Sequence, residues 1–453
     1  MSDTQPDGAD STSTAAQADE PRSNFRDIFA WAMYDWANSA YTTLLITVLV
    51  SYLQDDVLPG RWGIILYGWG IGATMLVSAF LLPILGAMAD ANASKRRWLA
   101  ATAFPGATAL ALMYFTTPSS PWLFAGLFIV INLCFELSFG FYNGFLPEIA
   151  NDENMGRVSA WGYALGYLGG GLMLVVALVI LLKGDLFGLP EDIVFRKRLS
   201  LGLTGLWWGV FTIPTVLMLR DKGQPPREPE RFVDAAKSAT KQVLTTLRHI
   251  RSYRTLALFL LGFLIYNDGV QTMWSHASVF AIQVLSMEAG ELAQMILMVQ
   301  FIALPGALLV GWLADRLGQK LILMGTLLVW IGLLIAAFFI TTKSQFWVMA
   351  VFGALVLGGT QAVSRAIMGL MTPKARSAEF FGFYSLSGRA TSMLGPVFFS
   401  SILAATGSPH WAIMSLLIFF VVGLVVILPV NVERGQEEAR QANEQDALQA
   451  SPQ

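Results

Sequence analysis

The sequence has one cysteine, three histidines and few charged residues for its length. Only 13% of its 453 residues are Asp, Glu, Lys or Arg, about half the share in a soluble globular protein. The single cysteine, Cys134, excludes an intrachain disulfide. The sequence has no H-E-x-x-H or G-x-S-x-G motif and no phosphate-binding glycine loop. These absences argue against an enzyme, and we expect no metal and no cofactor.

Long apolar runs take the place of the missing charge. Hydrophobic residues make up 55% of the chain, with 14 Trp and 30 Phe. Twelve runs reach about 20 residues, the length that crosses a bilayer core. They cover 27–53, 64–88, 98–116, 122–146, 158–182, 200–219, 255–285, 292–313, 320–340, 346–371, 379–405 and 410–430. The sequence predicts an all-α membrane protein with twelve transmembrane helices in two six-helix bundles.

Two loops, at the ends of the second and eighth runs, repeat one pattern. GAMADANASKRR starts at Gly86 and GWLADRLGQK at Gly311, and each continues to an aspartate and then to basic residues. A duplicated membrane bundle is typical of a transporter. We predict that the aspartates cap or salt-bridge helix ends and hold one state of a gate. The predicted gate residues are Gly86, Asp90, Arg96, Gly311, Asp315 and Arg316.

A polar linker separates the two halves, and polar tails flank them. The predicted domains are a disordered tail over 1–24, bundles over 25–219 and 255–432, a linker over 220–254 and a solvated polar tail over 433–453. Apolar spacing over 231–250 predicts an amphipathic helix at the membrane surface. Most Lys and Arg residues fall on the side of the amino terminus. This bias predicts that both termini lie in the cytoplasm, and we expect the protein in the plasma membrane.

Five charged residues fall well inside predicted spans, where a charge costs several kcal/mol unless it is paired or hydrated. Asp35, Glu136, Asp268 and Arg365 lie on spans 1, 4, 7 and 10, and Arg389 lies on span 11. If every third span lines one cavity, these groups gain water and each other. Adding polar neighbours at helical spacing, we predict a mid-membrane substrate and coupling cavity. Its residues are Tyr34, Asp35, Asn38, Glu136, Asn143, Tyr266, Asn267, Asp268, Gln271, Gln361, Arg365 and Arg389.

Structural roles for the same charges remain open. Asp35 could pair with Arg389 and lock two helices, and Asp268 could bond only to a neighbouring backbone. Buried pairs of this kind can specify packing rather than chemistry.

Six segments carry a resemblance to a known family. In chain order they are YDWANSAY, FYNGFLPEIA, RVSAWGYALGYLGGG, YNDGVQT, GGTQAVSRA and AEFFGFYSLSGR. With the paired loops, they resemble the major facilitator superfamily, and within it the bacterial branch related to the fungal vacuolar amino-acid effluxers of autophagy. The resemblance implies two bundles working by alternating access, with amino acids as substrates.

One loop departs from the superfamily pattern. Ala91 and Ala93 stand where the pattern has a basic residue and a glycine, whereas Arg316 and Gly318 keep it in the second copy. This departure predicts a weaker gate in the first half.

The combined prediction is a secondary active transporter that exports an amino acid by alternating access, with protons as the candidate coupling ion. A partly desolvated carboxylate can exchange protons near neutral pH, and Asp268 is the first choice, ahead of Asp35 and Glu136. Arg365 or Arg389 would hold the substrate carboxylate. The expected partners are a small-molecule substrate, protons and the lipid bilayer, without nucleic acid, and the chain is expected to be a monomer.

Two alternatives stay open. A transporter of lipids or other amphipathic metabolites could use the same fold, since Trp-rich walls also suit an acyl chain. A membrane sensor or scaffold that moves no solute is the alternative from another class. A closed cavity that holds Arg365 with Asp268 would favour a small zwitterion, and a lateral opening would favour a lipid.

Overall fold

The computed structural model describes residues 24–221, 232–390 and 394–450. Over these ranges the chain is helical and has no strand. Ten of the helices are long and apolar enough to cross a membrane. We number the spanning helices α1 (Phe25–Leu44), α2 (Arg61–Ala91), α3 (Lys95–Leu112), α4 (Pro121–Asn143), α5 (Met155–Lys183), α6 (Ile193–Met218), α7 (Arg254–Leu285), α8 (Ala289–Leu317), α9 (Gln319–Phe338), α10 (Lys343–Leu370), α11 (Ser377–Ala390 and Leu394–Thr406) and α12 (Pro409–Ser415 and Leu417–Ile427).

Helices α1 and α11 fill the other two predicted spans, but neither is one long α-helix. After Leu44, α1 passes into π-helical turns at Leu45–Leu49 and Tyr52–Val57. The described parts of α11 are two shorter segments. The all-α membrane fold is confirmed, and the structure is consistent with twelve spans.

Local sequence signals explain several helix starts. Asn24 precedes α1, and its side chain accepts a hydrogen bond from the backbone N–H of Arg26 at 3.1 Å. At the start of α10, Thr342 and Gln345 form a reciprocal capping box. Such caps satisfy backbone donors that the first helical turn leaves without partners.

The two halves repeat the same packing. In the first half α1 packs on α5 and α6, and α3 packs on α4; in the second half α7 packs on α11 and α12, and α9 packs on α10. The halves meet where α2 lies against α11 and where α5 lies against α8 and α10. The domain bounds drawn from the sequence stay a prediction.

The predicted amphipathic helix is present as Phe232–Arg248, which we call the linker helix. Its buried residues Ala239 and Val243 pack in one cluster with Ala87 and Met88 of α2. It therefore lies against the end of α2 that carries the first repeated loop.

The segment after residue 432 was predicted as a solvated polar tail, and the structure adds that it is helical. Val432–Ala450 forms a C-terminal helix. Its Asp446 accepts two hydrogen bonds from Arg376, at 2.7 and 2.9 Å, and its Arg440 donates to Asp152 at 3.0 Å. Polar composition alone did not reveal this helix, whose Asp446 and Arg440 have partners on the adjoining loops.

Candidate substrate cavity and gate loops

A cavity of about 370 Å³ lies between the two halves, and we call it the polar cavity. Its volume is in the range of small-molecule sites. Half of the twelve predicted site residues line it: Asp35, Asn38, Glu136, Asn267, Gln271 and Gln361. The first half supplies both carboxylates and the Asn38 amide, and the second half supplies the other three amides.

Arg365 joins the two halves beside this cavity. Its guanidinium is fully buried and donates from Nη1 to Asp35 Oδ2 at 3.2 Å and to Asn143 Oδ1 at 3.1 Å. It also donates to Ser159, from Nε to the hydroxyl at 3.0 Å and from Nη2 to the carbonyl at 2.7 Å. Every described partner belongs to the first half, so this second-half arginine ties α10 to α1, α4 and α5.

Aromatic rings complete the arginine's surroundings. Its guanidinium carbon lies 4.1 Å from the ring centre of Tyr163, 4.8 Å from that of Trp31 and 5.5 Å from that of Tyr142. The Tyr142 hydroxyl also donates to Asp35 Oδ2 at 2.7 Å. Cation–π contacts and charge-assisted hydrogen bonds together stabilise a buried guanidinium. Sequence reasoning quoted the segments that hold Tyr142, Ser159 and Tyr163 without singling out these residues, and it did not reach Trp31.

The sequence offered Arg389 as a partner for Asp35, and the structure describes a different partner. Asp35 pairs with Arg365, and the side chain of Arg389 lies outside the described residues. Two other predicted residues are buried near the cavity rather than on its wall. Tyr34 packs against Tyr142 with ring centres 5.2 Å apart, and the Tyr266 hydroxyl lies 2.6 Å from that of Ser364.

Asp268 was predicted to line the cavity, but the structure places it elsewhere. It is only 2% exposed, and its Oδ2 accepts a hydrogen bond from the backbone N–H of Gly395 at 2.9 Å. It thus caps the second segment of α11 and is absent from the described cavity wall. The sequence criterion for a zwitterion site, Arg365 together with Asp268, is therefore not met.

Amides of the second half form a second polar wall. Gln361 donates to Asn267 Oδ1 at 2.8 Å, and Asn267 donates to the Gly388 carbonyl at 3.2 Å. Gln300 crosses between halves and donates to the Thr43 hydroxyl at 2.6 Å. Gln271 is exposed within the cavity.

An apolar cavity of about 350 Å³ adjoins the polar one. The two share Ile46, Trp274 and Leu357 as wall residues. Its remaining walls include Met273, Met295, Trp330, Phe346 and Met349. A polar compartment therefore lies beside an apolar one.

The first repeated loop binds the two halves together through what we call the first latch, formed by Asp90, Lys95, Glu148 and Ser377. Asp90 of α2 accepts hydrogen bonds from the backbone N–H groups of Ala378 and Glu379, at 3.2 and 2.9 Å, at the start of α11. Lys95 bonds to Glu148, to the Ser377 hydroxyl at 2.7 Å and to Asp90 at 3.4 Å. All four residues are buried.

The second repeated loop also joins the two halves, at the equivalent position of the repeat. We call the group of Asp315, Arg157 and Gln319 the second latch. Asp315 of α8 accepts from the backbone N–H groups of Gly156 and Arg157, at 2.8 and 2.9 Å, at the start of α5. The Arg157 side chain adds a bond at 3.0 Å, and Gln319 adds one at 2.9 Å. Both latches lie at the same end of the molecule, which we call the latch end.

The two repeat glycines allow this close approach. A Cβ at Gly86 would lie 2.4 Å from the Ala378 carbonyl oxygen, and one at Gly311 would lie 2.4 Å from Ala160 Cβ. The two arginines that were predicted in the gate, Arg96 and Arg316, make contacts outside the latches. The Arg96 backbone donates to Asp221 at 3.3 Å, and the Arg316 guanidinium stacks 4.0 Å above the Trp312 ring. Lys95 and Arg157 provide the latch cations instead.

Comparison with known proteins identifies the family. The family model described as "Vacuole effluxer Atg22 like" matches residues 63–440. An MFS-type transporter of Bacillus subtilis, YxiO, is 30% identical over 421 residues, covering 92% of this chain and 97% of that protein. Autophagy-related protein 22 of Yarrowia lipolytica is 27% identical over 309 residues, covering 62% of this chain. The chain spans about half the length of that fungal relative.

Solved structures show the same fold. The E. coli fucose:proton symporter FucP has a TM-score of 0.67 at 15% identity, covering 90% of this chain and 98% of that chain. The proton:xylose symporter XylE has a TM-score of 0.70 at 14% identity, covering 92% and 98%. The family match, the YxiO similarity and this fold lead to one conclusion. The chain belongs to the Atg22-like family of major facilitator superfamily transporters and is a multi-pass membrane transporter, not an enzyme.

Proposed function

We propose that this protein is a secondary active transporter that exports amino acids by alternating access, with protons as the coupling ion. The observation that carries the proposal is that both carboxylates of the polar cavity lie on its first-half wall, whereas its second-half wall carries amides and no charged side chain among the described lining residues. An amino acid carries an ammonium group and a carboxylate, which these two walls can bind from opposite sides. The family description as a vacuole effluxer supports the direction.

The cavity's charge favours the ammonium group. The lining residues that the structure describes include Asp35 and Glu136 but no Lys, Arg or His. Arg365, which is buried behind the cavity wall, offsets the charge of Asp35. In our proposal Glu136 and Asp35 attract the substrate ammonium, while Gln271 and Gln361 donate to its carboxylate.

The latches support an assignment of the conformational state. Both join the halves at the latch end, whereas the apolar cavity is lined by late α1 and early α8, toward the other end. We propose that the protein lies in the plasma membrane with the latch end facing the cytoplasm, the orientation that the charge bias of the loops predicts. The structure then corresponds to an outward-facing state, and export requires both latches to open.

The Asp35–Arg365 pair offers a link between binding and opening. It crosses from α1 to α10, so any group that competes for Asp35 weakens a contact between halves. A proton or a substrate ammonium would compete in this way. Losing a partner of a buried ion pair costs about 3–5 kcal/mol, enough to shift a two-state equilibrium by orders of magnitude.

The test is counterflow of a labelled amino-acid mixture in proteoliposomes. Counterflow measures exchange through both faces without net proton movement. We expect the wild type to exchange, Glu136→Gln to lose pH-gradient-driven accumulation, and Asp35→Asn to lose exchange. Asp268→Asn is the matched control, because Asp268 is buried away from the described cavity wall.

Wild-type protein that exchanges no amino acid would overturn the substrate assignment. Loss of accumulation in Asp268→Asn with normal accumulation in Glu136→Gln would overturn the assignment of the coupling site.

The apolar cavity favours a second candidate, an amphipathic or lipid substrate. Its Met, Trp and Phe walls could hold an acyl chain while the polar cavity binds a headgroup. Exchange of labelled lysophospholipid in the same proteoliposomes, together with failure of all amino acids, would establish this candidate.

A further inference from the structure

The linker helix presents an apolar stripe whose side chains are about half exposed or more. Phe232 and Val233 are 64% and 60% exposed, and Leu244 and Leu247 are 50% and 46% exposed. At 3.6 residues per turn Leu247, Val233 and Leu244 fall within about 60° of one another, and Phe232, in the first turn, borders them beside the buried Val243. An exposed apolar face of this size on a helix marks an interaction surface.

Basic residues border the same stripe. Lys237, Arg248 and Lys241 are exposed and lie about 20°, 40° and 60° beyond Leu244 around the helix. None of them forms an ion pair with a carboxylate in the described part of the chain. The C-terminal helix differs, because its Arg440 pairs with Asp152 and its Arg434 pairs with Glu438. The linker helix therefore keeps its positive charge available to an outside partner.

The inner face of the linker helix contacts residues on both sides of the first latch. Gln242 and Thr246 each donate to the Glu379 carboxylate at 2.7 Å. The backbone N–H of Glu379 is one of the two donors that Asp90 accepts. On the first-half side, Ala239 and Val243 pack with Met88 of α2. The helix thus spans both halves at the latch that holds them together.

The linker helix lies at the depth expected for the membrane surface. Helix α2 has 31 residues and is therefore about 46 Å long, which exceeds the bilayer's hydrocarbon core of about 30 Å. Ala87 and Met88 lie in its last two turns. A helix packed on them lies at headgroup depth, where apolar residues enter the acyl boundary and basic residues meet lipid phosphates.

We propose that the outer face of the linker helix binds anionic phospholipids of the bilayer and thereby holds the first latch closed. The stripe from Phe232 to Leu247 enters the interface, and Lys237, Lys241 and Arg248 contact the lipid phosphates. Lipid binding fixes the helix, and the fixed helix keeps Gln242 and Thr246 on Glu379. Anionic lipid is then a regulator of the transporter, separate from its substrate.

The test is hydrogen–deuterium exchange of the full chain in nanodiscs of phosphatidylcholine alone or mixed with phosphatidylglycerol. We expect phosphatidylglycerol to slow exchange over 232–248 and at the first turns of α11. Each basic residue near an anionic surface contributes about fivefold in affinity. Lys237→Gln/Lys241→Gln should therefore lose most of the lipid-dependent protection in both segments. The readout needs no substrate, so it can fail or succeed independently of amino-acid transport.

The matched control is Arg97→Gln/Lys374→Gln, which removes two exposed cations of the same end that lie outside the stripe. It should keep the wild-type response. Equal protection in phosphatidylcholine alone would overturn the role of anionic lipid. Protection of 232–248 without any change at α11 would overturn the link to the latch, and equal loss in both double variants would overturn the assignment to this face.

Discussion

The first and second latches arise from one repeated loop and use one device, an aspartate that caps a helix of the opposite half. They differ in the cation and its surroundings. Lys95 of the first latch is 2% exposed and lies between Asp90 and Glu148, whereas the side chain of Arg157 in the second is 53% exposed. The first latch is a buried network and the second is a half-solvated cap. The comparison teaches that the sequence repeat preserves the cap and leaves the surrounding charges free to diverge.

The largest expected effect comes from removing the two cations. Lys95→Met leaves two buried carboxylates without their shared partner and should lower the free energy of unfolding by about 3–5 kcal/mol. Arg157→Met removes an exposed partner and should cost at most about 1 kcal/mol. Denaturant unfolding in detergent micelles measures both. Equal losses in the two variants would contradict the difference in burial.

Alanine at the two repeat glycines should have similar effects on both latches. Gly86→Ala and Gly311→Ala each introduce a Cβ 2.4 Å from the opposite half, and overpacking of this kind costs about 1–3 kcal/mol. We expect both to separate the halves and speed maleimide labelling of a cysteine at Ala378, in a Cys134→Ala background. Gly325→Ala is the control, since a Cβ there meets no atom within 4 Å. Faster labelling in the control would show that the effect is not local to the latches.

The smallest effect concerns the turn after each aspartate. Ala93 has φ of +43°, and Gly318, at the equivalent position of the second loop, has φ of +98°. The left-handed region costs a residue with a Cβ about 1–2 kcal/mol. Ala93→Gly should stabilise the protein by about 1 kcal/mol, and Gly318→Ala should destabilise it by a similar amount. Melting temperatures measured side by side would show opposite shifts, and shifts of one sign would contradict the account.

The departure of the first loop from the superfamily pattern predicted a weaker first gate. The structure shows Ala93 in the strained turn, but it also shows Lys95 in a buried network that the pattern did not reveal. Glu148 and Ser377 lie far from Lys95 in sequence, so only the folded arrangement brings them to it. The strength of that gate stays a prediction, which the cation variants address.

Much of the site was predictable because charge is rare in a bilayer. The scarcity of charged residues in the spans identified Asp35, Glu136 and Arg365 as candidates, but it did not predict that Asp35 pairs with Arg365. Asp268 shows where helical spacing in the sequence fails to predict which residues line the cavity. Asn267 and Gln271 are four residues apart and share the cavity face of α7, whereas Asp268 is turned about 100° away toward α11. Helix rotation is set by packing against neighbours, which a single sequence does not record.

The most direct test of the account locks the first latch. A Cβ at Gly144 would lie 3.3 Å from Ala378 Cβ in the opposite half, close to the spacing of about 3.5–4.5 Å in disulfides. In Gly144→Cys/Ala378→Cys with Cys134→Ala, oxidation should abolish amino-acid counterflow in proteoliposomes, and reduction should restore it. Counterflow at the wild-type rate in the oxidised protein would contradict the claim that export requires the halves to separate at the latch end.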